Sequence, residues 1–242
     1  RVIAGRDPLC WFDDSGLDCF GYVSNQFGQN TVPELTNPSV VATNYRSVCA
    51  LDDRGVKCWG RNNWGQTDVP VLSNPVLLSS GTDQDFCAID DTGLKCWGRN
   101  QYGWLDDLVD DAPAFSNPVA LAMGREHACV IDDLGVRCWG YKYGGVTRPP
   151  SLSNPVQISA AHYHSCALDD LGVHCWGMGD LGEIEVPELL IDPDGDGVTS
   201  QGGADAFPFC GAASVDDDRD GKADWITGNA RVFNSCNPRM EL

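Results

Sequence analysis

Two acidic runs near the C-terminus have the residue types and the spacing of calcium-binding loops. In each run three aspartates alternate with other residues and precede a glycine: Asp192, Asp194 and Asp196 in the first run, and Asp216, Asp218 and Asp220 in the second. Alternate carboxylates can converge on one hard cation, and the backbone carbonyl after the glycine, at Val198 or Lys222, adds an oxygen ligand. The sequence therefore predicts two calcium sites, with a solvated acidic tail as the alternative.

The charge balance narrows the classes of partner. The 242 residues include 35 Asp and Glu against 16 Lys and Arg, which gives a net charge of −19 and an isoelectric point near 4.2. Nucleic acid is a poor partner for such a chain, because duplex binding needs cationic side chains to displace counterions from phosphates. We therefore expect a protein or another extracellular surface component as the partner.

Residues suited to enzyme chemistry are sparse. His127 and His164 recur at the same repeat position, which favours structural hydrogen bonds, whereas His162 and His174 have no evident partner. No serine or cysteine nucleophile with a neighbouring base is visible in the sequence. We therefore expect no enzymatic activity.

The twelve cysteines form six pairs, and the first five pairs share one spacing of nine residues. Zinc and haem sites need C-x-x-C clusters, and none occurs, so the pattern favours disulfides formed in an oxidising compartment. The expected bridges are Cys10–Cys19, Cys49–Cys58, Cys87–Cys96, Cys129–Cys138, Cys166–Cys175 and Cys210–Cys236. This pairing predicts a secreted or cell-surface location.

These cysteines are predicted to lie on β-hairpins, and the hairpin sequence occurs five times along the chain. The copies read PLCWFDDSGLDCFG, SVCALDDRGVKCWG, DFCAIDDTGLKCWG, HACVIDDLGVRCWG and HSCALDDLGVHCWG. In one copy Cys49 to Asp52 alternates as a strand does, Gly55 suits a turn, and the chain returns through Cys58. The simplest register pairs residue 49 with 58, 51 with 56 and 52 with 55. The Asp-Asp pairs could bind ions along one rim, but turn chemistry already accounts for them.

A third strand precedes four of the hairpins, at 39–41, 76–78, 119–121 and 156–158, and each follows an Asn-Pro step. The first copy retains only a short strand beginning at Val2. No apolar run approaches the roughly 18 residues of a membrane helix, so we expect no transmembrane segment. The sequence predicts an all-β, propeller-like array of about five three-stranded repeats, each stapled by a hairpin disulfide.

The repeated phrase resembles the β-propeller repeats of the regulator of chromosome condensation family, in a secreted bacterial style, over residues 1–190. That family usually has seven blades, and its members include exchange factors, chromatin binders, ubiquitin-ligase modules and a secreted inhibitor of β-lactamases. The resemblance implies the fold, and it implies little about function because the family's functions differ so widely.

Residues 191–226 resemble the thrombospondin type 3 repeats of bacterial surface proteins, through the DPDGDGV, DAFP and SVDDDRDGKAD segments. The resemblance implies that Asp205 and Asp224 close the two calcium sites. The chain thus divides into a repeat domain at 1–190 and a small, loop-rich calcium module at 191–242, tied to itself by Cys210–Cys236.

Aromatic residues fall into three groups. Trp59, Trp97, Trp139, Trp176 and Phe20 recur beside the second cysteine and are expected to pack between blades. A looser recurring position, Phe27, Trp64, Tyr102 and Tyr143, with Leu181 in the last copy, is also expected to pack. Trp104, Tyr141 and Tyr163 do not recur, so they are the candidate partner surface.

These observations predict a secreted or cell-surface, calcium-binding interaction or adhesion protein without enzymatic activity. One alternative is a structural subunit that self-assembles through the calcium module into a filament or sheath. Another is a secreted inhibitor of a second protein, similar to the propeller that binds β-lactamases.

Overall fold

The computed structural model describes residues 2–4, 8–13, 16–21, 25–82, 84–179 and 182–186. These residues form five three-stranded antiparallel sheets, and in each sheet the strands lie in chain order. Sheet 1 contains β1 (Val2–Ala4), β2 (Leu9–Asp13) and β3 (Gly16–Phe20); sheet 2 contains β4 (Val40–Thr43), β5 (Ser47–Asp52) and β6 (Gly55–Gly60); sheet 3 contains β7 (Leu77–Ser80), β8 (Asp85–Asp90) and β9 (Gly93–Gly98); sheet 4 contains β10 (Ala120–Met123), β11 (His127–Asp132) and β12 (Gly135–Gly140); sheet 5 contains β13 (Gln157–Ala160), β14 (His164–Asp169) and β15 (Gly172–Gly177). The all-β class and the five three-stranded repeats are confirmed.

The hairpin register is the one that the sequence predicts. Cys49 pairs with Cys58, Leu51 with Val56, and Asp52 with Gly55. The cysteines of each hairpin lie opposite each other, with Cα atoms 4.0–4.1 Å apart, and all five hairpin disulfides are formed. The glycine that follows each turn has a positive φ, between 91° and 121°, which a side chain with a Cβ rarely adopts.

The first strands begin and end slightly later than the sequence predicts. Ser39, directly after Pro38, donates a backbone hydrogen bond to Leu51, but the strand ladder begins at Val40 and continues to Thr43. The same shift occurs in sheets 3, 4 and 5. The extension arises because Ala42 and Thr43 pair with Cys49 and Val48 on the middle strand.

Each sheet has a front face, which carries the disulfide, and a back face, which carries the aromatic residue beside the second cysteine: a tryptophan in sheets 2 to 5 and Phe20 in sheet 1. The front face of sheet 2, with Cys49 and Leu51, packs against Phe86, Ala88 and Trp97 on the back face of sheet 3. Sheets 1 and 2, 3 and 4, and 4 and 5 meet in the same way. The first strands of consecutive sheets also lie side by side, as in a propeller-like array.

The four tryptophans are buried between sheets, as predicted, and each donates its indole N–H to a carbonyl in the preceding connection. Trp59 donates to Gln29, Trp97 to Gln66, Trp139 to Leu108 and Trp176 to Val146, at 2.9–3.1 Å. Phe20 holds the equivalent position on sheet 1, but it is 51% exposed and contacts Trp11 on its own sheet. The expectation that Phe20 packs between blades is therefore wrong.

The repeat pattern predicts no helix, yet α1 (Trp104–Asp110) follows sheet 3 in the longest connection. Leu105 and Leu108, three residues apart on one face of α1, are buried against sheets 3 and 4. A short 3-10 helix at Tyr143–Gly145 follows sheet 4.

Candidate functional site

One edge of every sheet gathers three chain segments. The first strand ends there, the second strand begins there, and the third strand ends there, so the connection at 44–46 and its equivalents at 124–126 and 161–163 share this edge. We call it the loop edge; the opposite edge, with the DDxG turns, is the turn edge. A glycine at the end of the third strand in sheets 2 to 5 permits the close approach, since a Cβ on Gly140 would lie 2.6 Å from the Glu126 carbonyl.

This approach places arginine side chains next to aromatic rings on the loop edge. The backbone N–H of Arg61 donates to the Arg46 carbonyl at 2.7 Å, which brings the two residues together. The Arg46 guanidinium carbon lies 4.9 Å from the Tyr45 ring centroid and 5.6 Å from that of Phe27, and Arg61 lies 5.7 and 5.6 Å from the same rings. At these distances the ring faces attract the guanidinium cations.

Arg125 joins two of the residues that the sequence nominates as a partner surface. Its guanidinium carbon lies 5.5 Å from the Trp104 ring and 5.7 Å from the Tyr163 ring, and it donates a 3.0 Å hydrogen bond to the Tyr163 hydroxyl. Glu126 lies 3.7 Å from the Arg125 Nε. Trp104 and Tyr163, 59 positions apart in the chain, are thus parts of one cluster across sheets 4 and 5.

The recurring aromatic position is exposed, so the expectation that it packs is wrong for most of its members. Trp64 is 46% exposed, Tyr102 70% and Tyr143 62%, comparable to 47% for the predicted surface residue Tyr141. Trp64 stacks with Arg99, Tyr102 contacts Trp104, and Tyr141 contacts Tyr143. Leu181, the last member, lies outside the described residues.

We call this surface the arginine–aromatic face. Its members are arginine and aromatic side chains on the loop edge: Phe27, Tyr45, Arg46, Arg61, Trp64, Arg99, Tyr102, Trp104, Arg125, Tyr141, Tyr143 and Tyr163. Its arginines are not among the residues predicted from the sequence, although Arg61 and Arg99 both directly follow the C-W-G phrase. The face offers exposed aromatic rings and positively charged guanidinium groups to a partner.

The turn edge is occupied by its own hydrogen bonds. Asp90, at the end of β8, accepts bonds from the backbone N–H groups of Ser73 and Thr92 and from the Thr92 hydroxyl, and it pairs with Lys95 at 3.3 Å. Burial raises the pKa of Asp90, but these bonds outweigh it and lower the pKa to about 2. For Asp52, Asp132 and Asp169 burial likewise acts to raise the pKa, yet backbone N–H donors together with neighbouring cationic side chains lower it below the ordinary range.

In sheets 2 to 5 the second aspartate of the turn accepts a hydrogen bond from the side-chain amide of an Asn-Pro asparagine. The bonds join Asn37 to Asp53, Asn74 to Asp91, Asn117 to Asp133 and Asn154 to Asp170, at 2.5–2.7 Å. Each pair ties a turn to the connection that leads into the same sheet. Among the described residues no group of three or more His, Cys, Asp or Glu side chains could hold a metal ion.

Three histidines, His127, His162 and His174, have side-chain contacts in the structure. His127 is buried, and its Nε2 lies 2.8 Å from the Ser165 hydroxyl of the next sheet; burial, together with His164, lowers the pKa of His127 to about 4. His174 was expected to lack a partner, but its Nε2 lies 3.0 Å from Asp169. His162 likewise contacts the Tyr163 ring.

The predicted calcium module and the bridge Cys210–Cys236 lie outside the described residues. The same applies to every predicted calcium ligand: Asp192, Asp194, Asp196, Val198, Asp205, Asp216, Asp218, Asp220, Lys222 and Asp224. Their roles, the resemblance to thrombospondin repeats and the domain boundary at 190 stay predictions.

Solved structures share the fold of this chain. The ectodomain of the Physcomitrella patens receptor kinase CR4 is 20% identical, with a TM-score of 0.60, over 77% of this chain and 53% of that one. Saccharomyces cerevisiae Prp20p, described with its binding to Gsp1p and histones, is 16% identical, with a TM-score of 0.61, over 80% of this chain and 61% of that one. Yeast RCC1 (Prp20) bound to Kap60 gives 16% identity and a TM-score of 0.53 over 78% and 56%.

The comparisons establish an RCC1-like repeat fold and no more than the fold, because the identities are low. This chain spans 53–61% of the length of these structures. No family model matches the chain, and no curated protein sequence matches it. In the described part of the chain, no helix is long and apolar enough to cross a membrane.

Proposed function

We propose that this chain is a secreted or cell-surface interaction protein without enzymatic activity, which binds a protein or another extracellular component through the arginine–aromatic face. The observation that carries the proposal is the exposure of Tyr102, Tyr141 and Tyr143 on the loop edge, the same edge on which Arg99 and Arg125 lie over the rings of Trp64 and Trp104. Tyrosine, tryptophan and arginine dominate the energetic centres of protein interfaces. Stacking also reduces the side-chain entropy that the arginines lose on binding.

The chemistry of the chain supports an extracellular setting. Five hairpin disulfides form in oxidising compartments and are rare in the cytosol. The shared fold with a receptor-kinase ectodomain is in keeping with this location. The protein partners of Prp20p, which has the same fold, likewise support a protein as the partner. The net charge of −19 argues against nucleic acid.

A cell-binding assay with matched variants tests the role of the face. Labelled, non-reduced protein is titrated onto the cells that secrete it, and the triple variant Tyr102→Ala, Tyr141→Ala, Tyr143→Ala is compared with Leu134→Ala. Leu134 is 70% exposed but lies on the turn edge. We expect the triple variant to bind at least tenfold more weakly, because truncating one interface anchor costs about 1–2 kcal/mol. Equal binding of the two variants overturns the proposal.

The acidic C-terminal segment is proposed to bind calcium through the carboxylates of its two loops. Isothermal titration calorimetry of the full chain with calcium provides the test. The double variant Asp194→Asn, Asp218→Asn should lose the binding heat, whereas Asp133→Asn, a carboxylate on the turn edge, should keep it. Wild-type protein that takes up no calcium contradicts this part of the proposal.

A second candidate function is a structural subunit that assembles head to tail. It is favoured by the exposed Phe20 on the back face of sheet 1 and the exposed Leu168 on the front face of sheet 5, which are the two halves of an intersheet contact. Size-exclusion chromatography with light scattering, in calcium and after chelation, tests it: assemblies of several chains support this role, and a 26.1 kDa monomer in both conditions excludes it.

An inhibitor of another secreted protein would use the arginine–aromatic face, and the triple variant tests that role as well.

A further inference from the structure

A groove opens on the turn edge between sheets 3 and 4. Its volume of about 670 Å³ is within the range of ligand-binding clefts, roughly 300–1,000 Å³. Val76 at one side of the groove is 52% exposed, and Val109 of α1 at another is 36% exposed. Its apolar lining includes Val76, Ile89, Leu94, Val109, Pro113 and Phe115. The groove can therefore take up apolar side chains of a partner, and part of its wall is open to solvent.

An equivalent groove of about 620 Å³ lies between sheets 2 and 3, and the two grooves adjoin at Val76, which lines both. They differ in charge. The lining of the groove between sheets 2 and 3 includes Arg54, whereas Thr92 holds this repeat position in the groove between sheets 3 and 4. Among the described residues, the lining of the latter contains Asp90 and Asp91 and no lysine or arginine. We call it the acidic groove.

Two cationic side chains beside the acidic groove are already bound to the repeat itself. Lys95 pairs with Asp90 at 3.3 Å and donates to the Val71 carbonyl at 2.9 Å. Arg137 donates to the Ala114 carbonyl at 2.9 Å and to a carboxylate of its own sheet. Both cations thus stabilise neighbouring connections.

The end of α1 adds an acidic wall to this groove. Val109 and Ala112 line the groove, and Asp110 and Asp111 between them are exposed. Carboxylates at the C-terminal end of a helix are unfavourable, because the last carbonyl groups carry partial negative charge, and the last turn of α1 contains no basic residue. The sequence therefore keeps two carboxylates where they lower the stability of α1.

The wall belongs to an insertion in the repeat. α1 lies in the longest connection, and the described connections after sheets 2 and 4 contain no α-helix. In repeat proteins such insertions often form the binding face. Leu105 and Leu108 anchor α1 on the sheets, so the position of the acidic wall is fixed before a partner binds.

We propose that the acidic groove binds a segment of a partner protein in which apolar side chains are flanked by lysine or arginine. The apolar side chains fill the space beside Val76, Val109 and Phe115. A cation at the end of α1 pairs with Asp110 and Asp111 and offsets the negative charge of the helix end. An extended segment suits the site, because the two grooves adjoin. The acidic groove is a second interaction surface, and the inference does not depend on the arginine–aromatic face.

Fluorescence anisotropy with purified, non-reduced full chain tests the partner chemistry. Three pools of labelled heptapeptides carry Leu, Ile, Val or Phe at the three central positions, with two lysines, two serines or two glutamates at each end. A fourth peptide has three serines between the lysine pairs and measures attraction by charge alone. We expect the lysine-flanked apolar pool to bind at least tenfold more tightly than the other three. Absence of binding, equal binding of the serine-centred peptide, or preference for another pool overturns the proposal.

A pair of matched variants locates the binding site. Val76→Lys places a cation in the groove, and Val156→Lys makes the same change at the same repeat position of sheet 5, where the valine is 67% exposed and lines neither groove. Val76→Lys should bind the lysine-flanked apolar pool at least tenfold more weakly, while Val156→Lys should bind it as the wild type does. Equal effects of the two variants contradict the assignment of the groove.

The carboxylates of α1 provide an independent readout. The double variant Asp110→Asn, Asp111→Asn is compared with Asp106→Asn, Asp107→Asn, which removes the same charge from the first turn of α1, outside the groove lining. The first variant should bind the lysine-flanked apolar pool at least threefold more weakly without a lower melting temperature, because it relieves the unfavourable charge at the helix end. The second should keep the binding. Equal losses of binding, or a melting temperature lowered by the first variant, overturn the proposal.

Discussion

His127 provides a quantitative test of the contact between sheets 4 and 5. The perturbation is a fall in pH from 7 to 4.5, applied to the wild type and to His127→Asn. The His127 side chain is 1% exposed, its Nε2 lies 2.8 Å from the Ser165 hydroxyl, and burial lowers its pKa from an ordinary 6.5 to about 4. An asparagine at this position carries no titrating proton in this range.

The lowered pKa of His127 determines the direction and the size of the change in unfolding free energy with pH. In the unfolded chain the imidazole takes up a proton as the pH falls below 6.5, whereas in the folded chain it stays neutral down to about pH 4. The contribution of the neutral, buried His127 side chain to the free energy of unfolding is therefore fully present above pH 6.5 and is lost as the pH falls. Linkage gives a loss of about 2.5 kcal/mol between pH 7 and 4.5.

Urea unfolding of the non-reduced protein, followed by tryptophan fluorescence at several pH values, measures the effect. The other titrating groups are common to both proteins, so their contributions cancel in the difference. The unfolding free energy of the wild type should fall more steeply than that of His127→Asn, by about 2.5 kcal/mol over the range. Parallel pH profiles would refute the reasoning.

Three further changes test the repeat. Asp90→Asn should lower the unfolding free energy at pH 7 by roughly 2 kcal/mol, because charge-assisted bonds are lost. Since the Asp90 pKa is lowered to about 2, the wild-type advantage should shrink as the pH falls from 4 to 2, which acid titration of the unfolding free energy checks. Trp97→Phe should lower the free energy of urea unfolding by about 1–2 kcal/mol, because the buried Gln66 carbonyl loses its 3.0 Å hydrogen-bond donor. The double variant Cys87→Ala, Cys96→Ala should have an unfolding free energy lower by roughly 2–3 kcal/mol in the same assay, because it lacks one hairpin disulfide. An unchanged urea midpoint in either of these last two variants would contradict its assigned contact.

The sequence predicts those structural features that depend on residues close together within one repeat. The hairpin register at Cys49 and Cys58 and the disulfide between them follow from strand alternation and one glycine turn, both local properties. The burial of Trp59 follows from its recurrence beside the second cysteine. Phe20 breaks that rule, since it is 51% exposed and contacts Trp11 on its own sheet, and recurrence alone does not reveal which member of the series is buried.

The arginine–aromatic face is harder to predict from the sequence than the hairpins and their disulfides. Recurrence at Trp64, Tyr102 and Tyr143 was interpreted as packing, but the position recurs on the loop edge, where the rings are exposed. The cluster of Arg125 with Trp104 and Tyr163 depends on the contact between neighbouring sheets, and residues so distant in sequence carry no local signal of it.

Footprinting with hydroxyl radicals on the cell-bound protein tests the central claim most directly. Oxidation of Trp64, Tyr102, Tyr141 and Tyr143, all exposed on the arginine–aromatic face, should fall on binding, while that of Leu134 on the turn edge should not change. Protection of Leu134 with unchanged oxidation of the four aromatic residues would contradict the assignment of the arginine–aromatic face as the partner surface.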